Sequence, residues 1–450
     1  MKIGLEIHIQ LPTRTKLFCS CSTTGDEVNS SVCPICLGFP GARPTLNRRA
    51  LEMGVAIAKF LNCTIPEKVW FSRKTYFYPD LAKNYQITQY ETPMGRNGHF
   101  MLGDRKIGIW EAHIEEDPGR IKRAGRAGEE VALVDYNRSG VPLVEIVTAP
   151  DLTSPEEARA FLSDLLVELR HLVGLSPQDE TTVRADGNIS VGEERVEIKN
   201  INGLRNIERA LKFEAKRQSK LLAAGKRIVR ETRRFDEELG TTLPSREKEF
   251  EEDYGYIGEP DLGTFVIGPL ASDLDLPETP LARASRLERE HGLAAVSARQ
   301  MVLTSWKLAD TFEVLASRFG RETATTWSLG PLASHWKELQ ERLGDRLEES
   351  IVPIIAEVHA GTITDSEARM RIDVLAGREA APVASTAPTA DDLGQIVARL
   401  VDSHPEVVKD YRTNPRAANF LIGQVMKETQ GRYASQEVSG MIRKELEKRV

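Results

Sequence analysis

The chain has 450 residues, of which 40% are hydrophobic and 28% charged, and its formal net charge is -7. This composition is that of a globular protein of about two to four domains. No run approaches the roughly 18 apolar residues of a membrane-spanning helix, and the net negative charge argues against a protein wholly devoted to nucleic-acid binding. The first residues lack a secretory signal pattern, so we expect a cytoplasmic protein.

The chain begins with a strictly alternating segment, GLEIHIQL, over residues 4–11. Alternation with a period of two predicts a β-strand whose aliphatic side chains all face one way. The other face then carries an acid, an imidazole and an amide, namely Glu6, His8 and Gln10. This row of functional groups is a candidate catalytic or metal-binding surface.

Four of the five cysteines lie in one short segment, as Cys19, Cys21, Cys33 and Cys36. Two close pairs separated by a loop can place four thiolates at the corners of a tetrahedron, which is the geometry of structural zinc. Four buried or disulfide-bonded cysteines are the alternative, but a reducing compartment disfavours disulfides. We therefore predict a closed structural zinc site, and we expect the remaining Cys63 to pack as an apolar side chain.

The periodicity of the sequence divides the chain into parts. Up to about residue 285, strand-like segments alternate with amphipathic helices, one of which starts at Ser154 with Pro155 and Glu157 in a capping box. Beyond that point only helical periodicity remains, apart from a small-residue, Pro-rich stretch. The sequence therefore predicts an α+β fold with a large mixed sheet-and-helix catalytic domain, a helical domain, a linker and a small helical tail domain: residues 1–285, 286–376, 377–392 and 393–450.

Further segments of the first domain concentrate groups that could do chemistry. An aromatic-rich segment spans residues 73–93, AHIEEDPGR places His113, Glu115 and Asp117 on one face of a strand, and Glu145 interrupts an apolar strand. An ionised carboxylate at position 145 is costly unless a positive group lies opposite. Two later strands add a polar set: Arg184, Asp186, Asn188, Lys199 and Asn200.

Taken singly, each strand carboxylate is most simply explained by solvent exposure or a salt bridge. Together, Glu6, Glu115 and Glu145 beside His8 have the hard-ligand composition of a Mg2+ site, and Mg2+ commonly accompanies a nucleotide phosphate. A soft transition metal would sooner bind the cysteines. The sequence has neither a Walker P-loop nor a kinase glycine loop, so any ATP site must be of another kind.

The motifs of the chain, in their order, closely resemble those of the B subunits of the tRNA-dependent amidotransferase GatCAB. These motifs are GLEIHIQL, KTYFYPDLAKNYQITQY, HIEEDPG, DYNRSGVPLVEIV, ADGNISV, EIKNING, ETRRFDE and EPDL. The resemblance covers essentially the whole chain, because NPRAANFLIGQVMKETQGR is similar to that family's C-terminal tail domain. The related archaeal E subunits carry an added synthetase-like insert, for which 450 residues leave no room, so the B-subunit family is preferred.

This resemblance implies a glutamine-dependent aminoacyl-tRNA amidotransferase, which is a carbon-nitrogen ligase. Such B subunits use ATP to phosphorylate the side-chain carboxylate of misacylated Glu-tRNA(Gln), of Asp-tRNA(Asn), or of both. Ammonia released from glutamine by the A subunit then displaces the phosphate, and a small C subunit completes the heterotrimer. The implied partners are therefore the A and C subunits and the misacylated tRNA, with no membrane.

The resemblance also implies roles for individual positions. The family's Mg2+ ligands match His8, Glu115 and Glu145, with Glu6 beside them as a further acid of the catalytic site. Contacts to ATP are expected from a second set: Lys74, Arg184, Asp186, Asn188 and Lys199. The zinc cysteines match a pattern present in only some members, so the expected role of Zn2+ is to fasten a loop near the site.

Two alternatives from other classes remain open. A non-catalytic tRNA-binding protein would account for the aromatic segment and for a basic tail, but it gives no reason for Glu145 in an apolar strand. A metallohydrolase built on Glu6, His8 and Glu115 would act without ATP, but the sequence lacks a second well-placed histidine for it. The tail, after about residue 395, is expected to bind tRNA through basic residues: Lys427, Arg432, Arg443, Lys444, Lys448 and Arg449.

Overall fold

The computed structural model describes the chain except for residues 26, 126–130, 177–182, 246–254, 379–389, 412–416, 430–432, 434 and 450. The described residues form two compact units, Met1–Thr279 and Pro280–Val450. The first unit combines sheets and helices and the second is helical, which confirms the α+β prediction. Within these described ranges, no helix has the length and apolarity needed to cross a bilayer.

The first unit contains fifteen described strands and four described helices. The strands are β1 (Lys2–Gln10), β2 (Lys68–Trp70), β3 (Ser72–Thr75), β4 (Tyr85–Thr88), β5 (Gly95–Leu102), β6 (Arg105–Glu116), β7 (Arg120–Ala124), β8 (Val131–Asp135), β9 (Pro142–Thr148), β10 (Arg184–Ser190), β11 (Val196–Asn202), β12 (Glu231–Asp236), β13 (Thr241–Pro244), β14 (Gly255–Gly258) and β15 (Thr264–Val266). The helices are α1 (Arg48–Phe60), α2 (Pro155–Val173), α3 (Leu204–Ala223) and α4 (Gly268–Asp273).

An eight-stranded mixed sheet organises this unit, in the order β13-β12-β11-β10-β1-β9-β6-β5. All neighbours in it are antiparallel except β11 and β12, which are parallel. Three short strands, β14, β3 and β4, form a separate small sheet. The predicted first strand therefore lies in the middle of the large sheet, between β10 and β9.

One face of the large sheet is covered by α1, α2 and α3. Ile114 of β6 lies so close to α1 that a Cβ added at Gly54 would be 2.9 Å from its Cγ2 atom. Phe100 of β5 packs edge-on against Phe161 of α2, with ring centroids 5.3 Å apart. The aliphatic side chains of β1 are buried on this side, so they form the core and leave the polar face of β1 on the other side.

The start of α2 follows its sequence signals with one difference. Ser154 is the N-cap and accepts a hydrogen bond from the Glu157 amide at 3.1 Å. The Glu157 carboxylate reaches back to the backbone N–H of Thr153, at 2.6 Å, one residue earlier than in a regular capping box. Because Thr153 also donates its hydroxyl to this carboxylate at 2.9 Å, Glu157 secures the residue that enters the helix.

The second unit contains eleven described α-helices. They are α5 (Pro280–His291), α6 (Ala295–Thr304), α7 (Trp306–Phe319), α8 (Arg321–Trp327), α9 (Trp336–Leu343), α10 (Leu347–His359), α11 (Asp365–Leu375), α12 (Ala390–Ser403), α13 (Pro405–Tyr411), α14 (Ala418–Glu428) and α15 (Ser435–Glu447). Their buried apolar residues form two separate clusters, one drawn from α5 to α11 and one from α12 to α15. Most of the predicted linker, residues 377–392, lies outside the described residues, and α12 begins at Ala390 within the predicted range.

Candidate active site

Three neighbouring strands bring distant residues of the sequence together on the open face of the large sheet. His8 of β1 pairs directly with Glu145 of β9, and Glu145 pairs on its other side with His113 of β6. Glu115 lies two residues beyond His113 and so faces the same way. The sheet register thus assembles a cluster that we call the His8 cluster: His8, Glu115 and Glu145, with His113 beside it.

The distances within the His8 cluster suit a single small cation. One ligand atom from each of His8, Glu115 and Glu145 lies within 4.8 Å of the others. The His8 Nε2 atom is 3.5 Å from Glu145 Oε2 and 3.7 Å from Glu115 Oε1. Ligands on opposite sides of a Mg2+ ion are separated by about 4 Å. The two carboxylates supply the hard oxygen donors that Mg2+ prefers, and the imidazole adds a borderline nitrogen donor, so these residues fit that ion.

Hydrogen bonds to neighbouring groups hold the two carboxylates of the cluster. His113 Nε2 lies 2.8 Å from Glu145 Oε2, which is the closest contact of that carboxylate with either histidine. The Thr88 hydroxyl donates to Glu115 Oε2 at 3.1 Å. The sequence predicts that His113 shares a strand face with Glu115 but indicates no role for it, because only the sheet order shows that it lies opposite Glu145.

The charged groups of the His8 cluster shift one another's pKa values. Burial alone would raise the pKa of Glu145, but the charges and hydrogen bonds of His113 and His8 hold it well below its usual range. Burial alone would lower the pKa of His8, but the charge and hydrogen bond of Glu145 raise it to about 9. Without another cation, protons on the two histidines therefore supply the positive charge that balances the carboxylates.

A second group of acids adjoins the first and includes a residue that sequence analysis missed. Glu6, Asp186 and Glu197 each place one carboxylate oxygen within 4.8 Å of the others. Burial, followed by the charges of Glu145 and Asp186, raises the pKa of Glu6 to about 7. Glu197 joins the group because it pairs with Asn188 across β10 and β11. In the sequence, its only signal is alternation with a buried isoleucine.

The amide side chain of Asn188 and a bulge in β11 organise this acid group. Asn188 Nδ2 donates to Glu6 Oε1 at 2.9 Å, and the backbone N–H of Asn200 donates to Asp186 Oδ1 at 2.8 Å. Asn200 has a φ of 60°, a conformation that asparagine tolerates better than most residues. The register of β10 against β11 shifts at this point. Lys199 lies two residues after Glu197 and therefore on the same open face, with its Nζ 3.9 Å from Glu197 Oε1.

Arg184 is placed differently from the other expected ATP contacts. Its guanidinium donates to Asp117 Oδ1 at 2.7 Å, and the Arg138 Nε atom lies 3.3 Å from the other oxygen of Asp117. Gln10 also donates to this carboxylate, at 3.1 Å. Arg184 is thus committed to a fully buried acid, whereas Lys74 and Lys199 line the open pocket.

An open pocket of about 830 Å³ lies over this face of the sheet. Its wall includes residues of the His8 cluster and of the acid group, together with Lys74 from the small sheet and Lys199 from β11. This volume is within the range of sites that bind nucleotide-sized ligands. Residues from β1, β6, β9 and β11 that the sequence singles out therefore border one cavity: Glu6, His113, Glu115, Glu145 and Lys199.

The four predicted zinc cysteines also come together. One Sγ atom from each of Cys19, Cys21, Cys33 and Cys36 lies within 4.8 Å of the others, and all four are free thiols, as the zinc prediction requires. The fully buried Lys16 has its Nζ 3.7 Å from Cys36 Sγ. A hydrogen bond from Cys19, with the nearby charge of Lys16, lowers the pKa of Cys36 to about 4 despite burial. Four clustered thiols of which one is readily ionised are a donor set that fits zinc.

The cysteine loop is fastened to the strands of the site through backbone hydrogen bonds. The Leu17 amide donates to the Gly140 carbonyl at 2.8 Å, and the Gly140 amide donates to the Asp117 carbonyl at 2.9 Å. Asp117 follows β6 directly, two residues after Glu115. The loop therefore supports the chain at the end of β6 that carries the metal-type ligands.

Comparison with known families and proteins agrees with this geometry. The family model described as the GatB/GatE catalytic domain matches residues 1–271, and the model described as the GatB domain matches residues 310–446. The chain is similar to the B subunit of the aspartyl/glutamyl-tRNA(Asn/Gln) amidotransferase of Methanoregula boonei, with 41% identity over 98% of this chain and 97% of the relative. The proteins of the same name from Methanospirillum hungatei and Carboxydothermus hydrogenoformans are 39% and 38% identical, over 100% and 99% of this chain and 98% of each relative.

These matches extend from the large sheet through the helical unit and include every strand of the candidate site. The first model alone covers more than half of the chain, and the relatives are matched over nearly their full length. The chain therefore belongs to the GatB family of tRNA-dependent amidotransferase subunits.

Proposed function

We propose that this chain uses ATP to phosphorylate the side-chain carboxylate of a glutamyl or aspartyl group esterified to tRNA, and that ammonia then converts it to the amide. The observation that carries the proposal is the His8 cluster. It brings together His8, Glu115 and Glu145 from three strands, and both of its carboxylates border a nucleotide-sized pocket. The relatives are named as aspartyl/glutamyl-tRNA(Asn/Gln) amidotransferase subunits, which supports the substrate class.

The proposed reaction has two steps. A carboxylate oxygen of the aminoacyl group attacks the γ-phosphorus of ATP, the bond from that phosphorus to the β–γ bridging oxygen breaks, and ADP leaves. The nitrogen of ammonia then attacks the acyl carbon, the carbon–oxygen bond to phosphate breaks, and a proton leaves the nitrogen. Activation is required because a carboxylate is a poor electrophile, whereas an acyl phosphate releases phosphate readily.

His8, Glu115 and Glu145 would hold Mg2+ in this scheme. When bound, Mg2+ supplies positive charge that stabilises the phosphoryl group during transfer. Glu6, held by Asn188 and lying beside Asp186, adds a second acidic position next to that set. His113 fixes Glu145 through its hydrogen bond and so acts as a positioning residue.

The cations around the cluster would bind the phosphates of ATP. Lys74 and Lys199 line the pocket on different walls, so they can approach a phosphate chain from two sides. Arg184 would act indirectly, because its ion pair with Asp117 joins the start of β10 to the residue that directly follows β6. The four cysteines would hold structural Zn2+ and fasten their loop to the end of β6.

The partners follow from the family. An amidotransferase chain of this kind requires a source of ammonia, for which we propose a glutaminase A subunit with a small C subunit, in the cytoplasm where aminoacyl-tRNA is made. The tail helices α12 to α15 would bind the tRNA backbone. Of the tail cations, Arg432 lies outside the described residues, and Lys448 and Arg449 already pair with Glu445 at 3.1 and 2.9 Å. Lys427, Arg443 and Lys444 remain for tRNA.

Truncation after Leu375 tests the tail. We expect the KM for aminoacyl-tRNA to rise steeply in the shortened protein assembled with its partners, because contacts to the tRNA backbone are lost. Glutamine hydrolysis by the A subunit should remain measurable. Unchanged tRNA binding by the truncated chain would show that the tail has another purpose.

The reaction itself is tested by supplying ammonium directly, so that glutaminase activity does not limit the result. The assembled complex is incubated with Glu-tRNA(Gln) or Asp-tRNA(Asn), and amide and ADP are measured with and without ATP and Mg2+. We expect equal amounts of amide and ADP, and neither product when ATP or Mg2+ is omitted. Hydrolysis of substrate without ATP would favour the metallohydrolase, and tight tRNA binding without any turnover would favour a non-catalytic tRNA-binding protein.

A further inference from the structure

The pocket over the sheet has two chemically different ends, one aromatic and one rich in arginine. We propose that the aromatic end stacks on the terminal base of the aminoacyl-tRNA, and that the arginine end binds the triphosphate of ATP. This inference rests on the proposed function, since it assigns the two substrates of that reaction to two parts of one cavity. The aromatic end is formed by Tyr90, Tyr256 and Trp110, and the arginine end by Arg195 and Arg230.

The aromatic end presents open ring surface. Tyr90 stacks on Tyr256 with ring centroids 3.9 Å apart and ring planes 16° apart. Although this stack covers one side of its ring, Tyr90 remains 45% exposed. Unpaired bases at the ends of RNA strands bind by stacking on such rings, and this mode needs no charge.

A β-bulge turns a third aromatic side chain toward the same end. The register of β6 against β9 shifts between Ile109 and Glu111, so Trp110 is an extra residue on β6. Bulges re-aim side chains and are common beside active sites. Trp110 consequently lines the pocket and is 53% exposed instead of packing under the helices.

The arginine end lies across the sheet. Val196 of β11 pairs with Glu231 of β12 in the parallel ladder, so the preceding residues, Arg195 and Arg230, lie side by side at the pocket wall. Both are exposed, and neither makes an ion pair or hydrogen bond with another residue that the structure describes. Two neighbouring guanidinium groups without partners are suited to phosphate oxygens.

Charge distinguishes the two ends. The aromatic end also has two pocket cations: Lys74, which pairs with Tyr256 across β3 and β14 and would reach the phosphates from that side, and Arg96, whose Nε atom lies 3.4 Å from a carboxylate oxygen of Glu111. The arginine end has Lys199 on the same face of β11, four residues after Arg195. A highly charged triphosphate is therefore better matched by the arginine end, and an uncharged base by the aromatic end.

The sheet order explains why both ends are needed. Strands β10, β1 and β9 separate β11 from β6, so β11, which Arg195 directly precedes, and β6, which carries Trp110, are four strand spacings or about 19 Å apart. The residues of the His8 cluster come from β1, β9 and β6, which follow β11 and β10 in the strand order. Phosphoryl transfer requires the γ-phosphate and the acceptor carboxylate to meet there. Two substrates that approach from opposite ends meet without competing for the same surface.

The test separates the two substrates kinetically in the assembled complex, with ammonium as nitrogen donor. We expect Tyr90→Ala to raise the KM for Glu-tRNA(Gln) about 10-fold, with the KM for ATP changed less than about 2-fold, and Tyr90→Phe to restore it. The double variant Arg195→Ala/Arg230→Ala should show the reverse pattern. Phe39→Ala and Arg227→Ala, which alter an exposed aromatic residue and an exposed arginine outside the pocket wall, serve as matched controls. A rise in the KM for ATP in Tyr90→Ala, or equal effects on both substrates, would overturn the assignment.

A binding measurement keeps this inference separate from the proposed reaction. Uncharged tRNA(Gln) is compared with the same tRNA lacking its terminal adenosine, using thermal unfolding to confirm that each variant is folded. The unmodified complex should bind the intact tRNA about 10-fold more tightly, and Tyr90→Ala should abolish this preference. A preference that survives in Tyr90→Ala contradicts the aromatic assignment whether or not amidation occurs. If the unmodified complex prefers the intact tRNA but shows no ATP-dependent amidation, only the proposed reaction is contradicted.

Discussion

Two carboxylates of the first unit, the buried Glu214 and the pocket residue Glu145, are compensated in opposite ways. Glu214 of α3 is fully buried and receives hydrogen bonds from Arg217 at 2.7 and 2.9 Å. Gln218 and Thr242 donate to it as well, at 3.0 and 2.9 Å. Its cation is permanently charged and its hydrogen bonds are saturated, so this carboxylate is complete within the chain.

Glu145 has no such permanent partner. Its closest positive groups among the described residues are the imidazoles of His113 and His8, at 2.8 and 3.5 Å, which carry charge only when protonated. It also faces other acids, since Glu115 and Glu6 lie close by. A carboxylate with permanent cations stabilises the fold, whereas one with titratable partners and acidic neighbours is suited to an external cation.

The largest expected effect comes from removing the charge of Glu214. Glu214→Gln removes the buried counterion of Arg217 and Arg233 and leaves them only the partly exposed Glu231, so we expect a loss of about 3 kcal/mol in the free energy of unfolding. Urea unfolding measures this loss. At temperatures where the variant is folded, its rate of ATP-dependent amidation should stay within about 2-fold of the unmodified chain. A large loss of activity in folded Glu214→Gln would break the distinction between the two carboxylates.

The second-largest expected effect is on the rate of amidation. Glu145→Gln keeps the shape of the side chain but removes the charge of a Mg2+ ligand, so we expect amidation with ammonium to fall at least about 100-fold, or about 2.7 kcal/mol. Glu52→Gln, at a surface position on α1, is the matched control. If Glu145 were merely a buried acid, its amide would be tolerated. Near-wild-type amidation at limiting Mg2+ would refute the assignments of Glu145, His8 and Glu115 together.

The cysteine cluster extends the comparison, because its four thiols have one lysine nearby and would need an external cation if all of them were ionised. We expect about one zinc per chain by elemental analysis. Cys19→Ser should lose the metal and about 1–2 kcal/mol of stability, with a smaller effect on amidation. Cys63→Ser, outside the cluster, should keep the zinc. A metal-free unmodified chain of full stability would contradict the zinc assignment.

The smallest expected effect is a dependence of stability on pH. Burial alone would raise the pKa of Glu214, but the hydrogen bonds of Arg217 and Gln218 lower it below its ordinary value of 4.5. A lowered pKa contributes stability that is fully present above the unfolded-state value and is lost as the pH falls through the folded-state value. The stability difference between the unmodified chain and Glu214→Gln should thus be constant above about pH 5.5 and shrink as the pH falls below the unfolded-state value. A constant difference down to pH 3.5 would show that the pKa is not lowered.

Local patterns of the sequence predict the parts of the site but not its full membership. The alternation around His8 predicts β1, and the spacing of the cysteines predicts their cluster, because both signals are short-range. Glu145 is conspicuous because its strand neighbours are apolar, so a charge partner can be expected before that partner is known. The sequence does not identify that partner as His113, because the match depends on the order β1-β9-β6.

The missed residues depend on long-range register. Glu197 reaches the acid group through its pairing with Asn188, and Trp110 reaches the pocket through a bulge opposite β9. Tyr256 lies about 166 residues after Tyr90 in the chain and meets it through the pairing of β14 with β3 in the small sheet. No local periodicity reports such pairings, because each depends on where two distant strands align.

The central position of β1 has a consequence for synthesis. Lys2 pairs with Ser190, and Gln10 pairs with Leu143, so β1 is made long before either of its neighbours in the sheet. At about 5–20 residues per second, the ribosome needs roughly 10–40 s to produce the far end of β10. Until β9 has been made, β1 has neither of its neighbours in the large sheet. The nascent chain therefore exposes the apolar face of an unpaired strand during that time, and the His8 cluster cannot assemble until β9 has emerged.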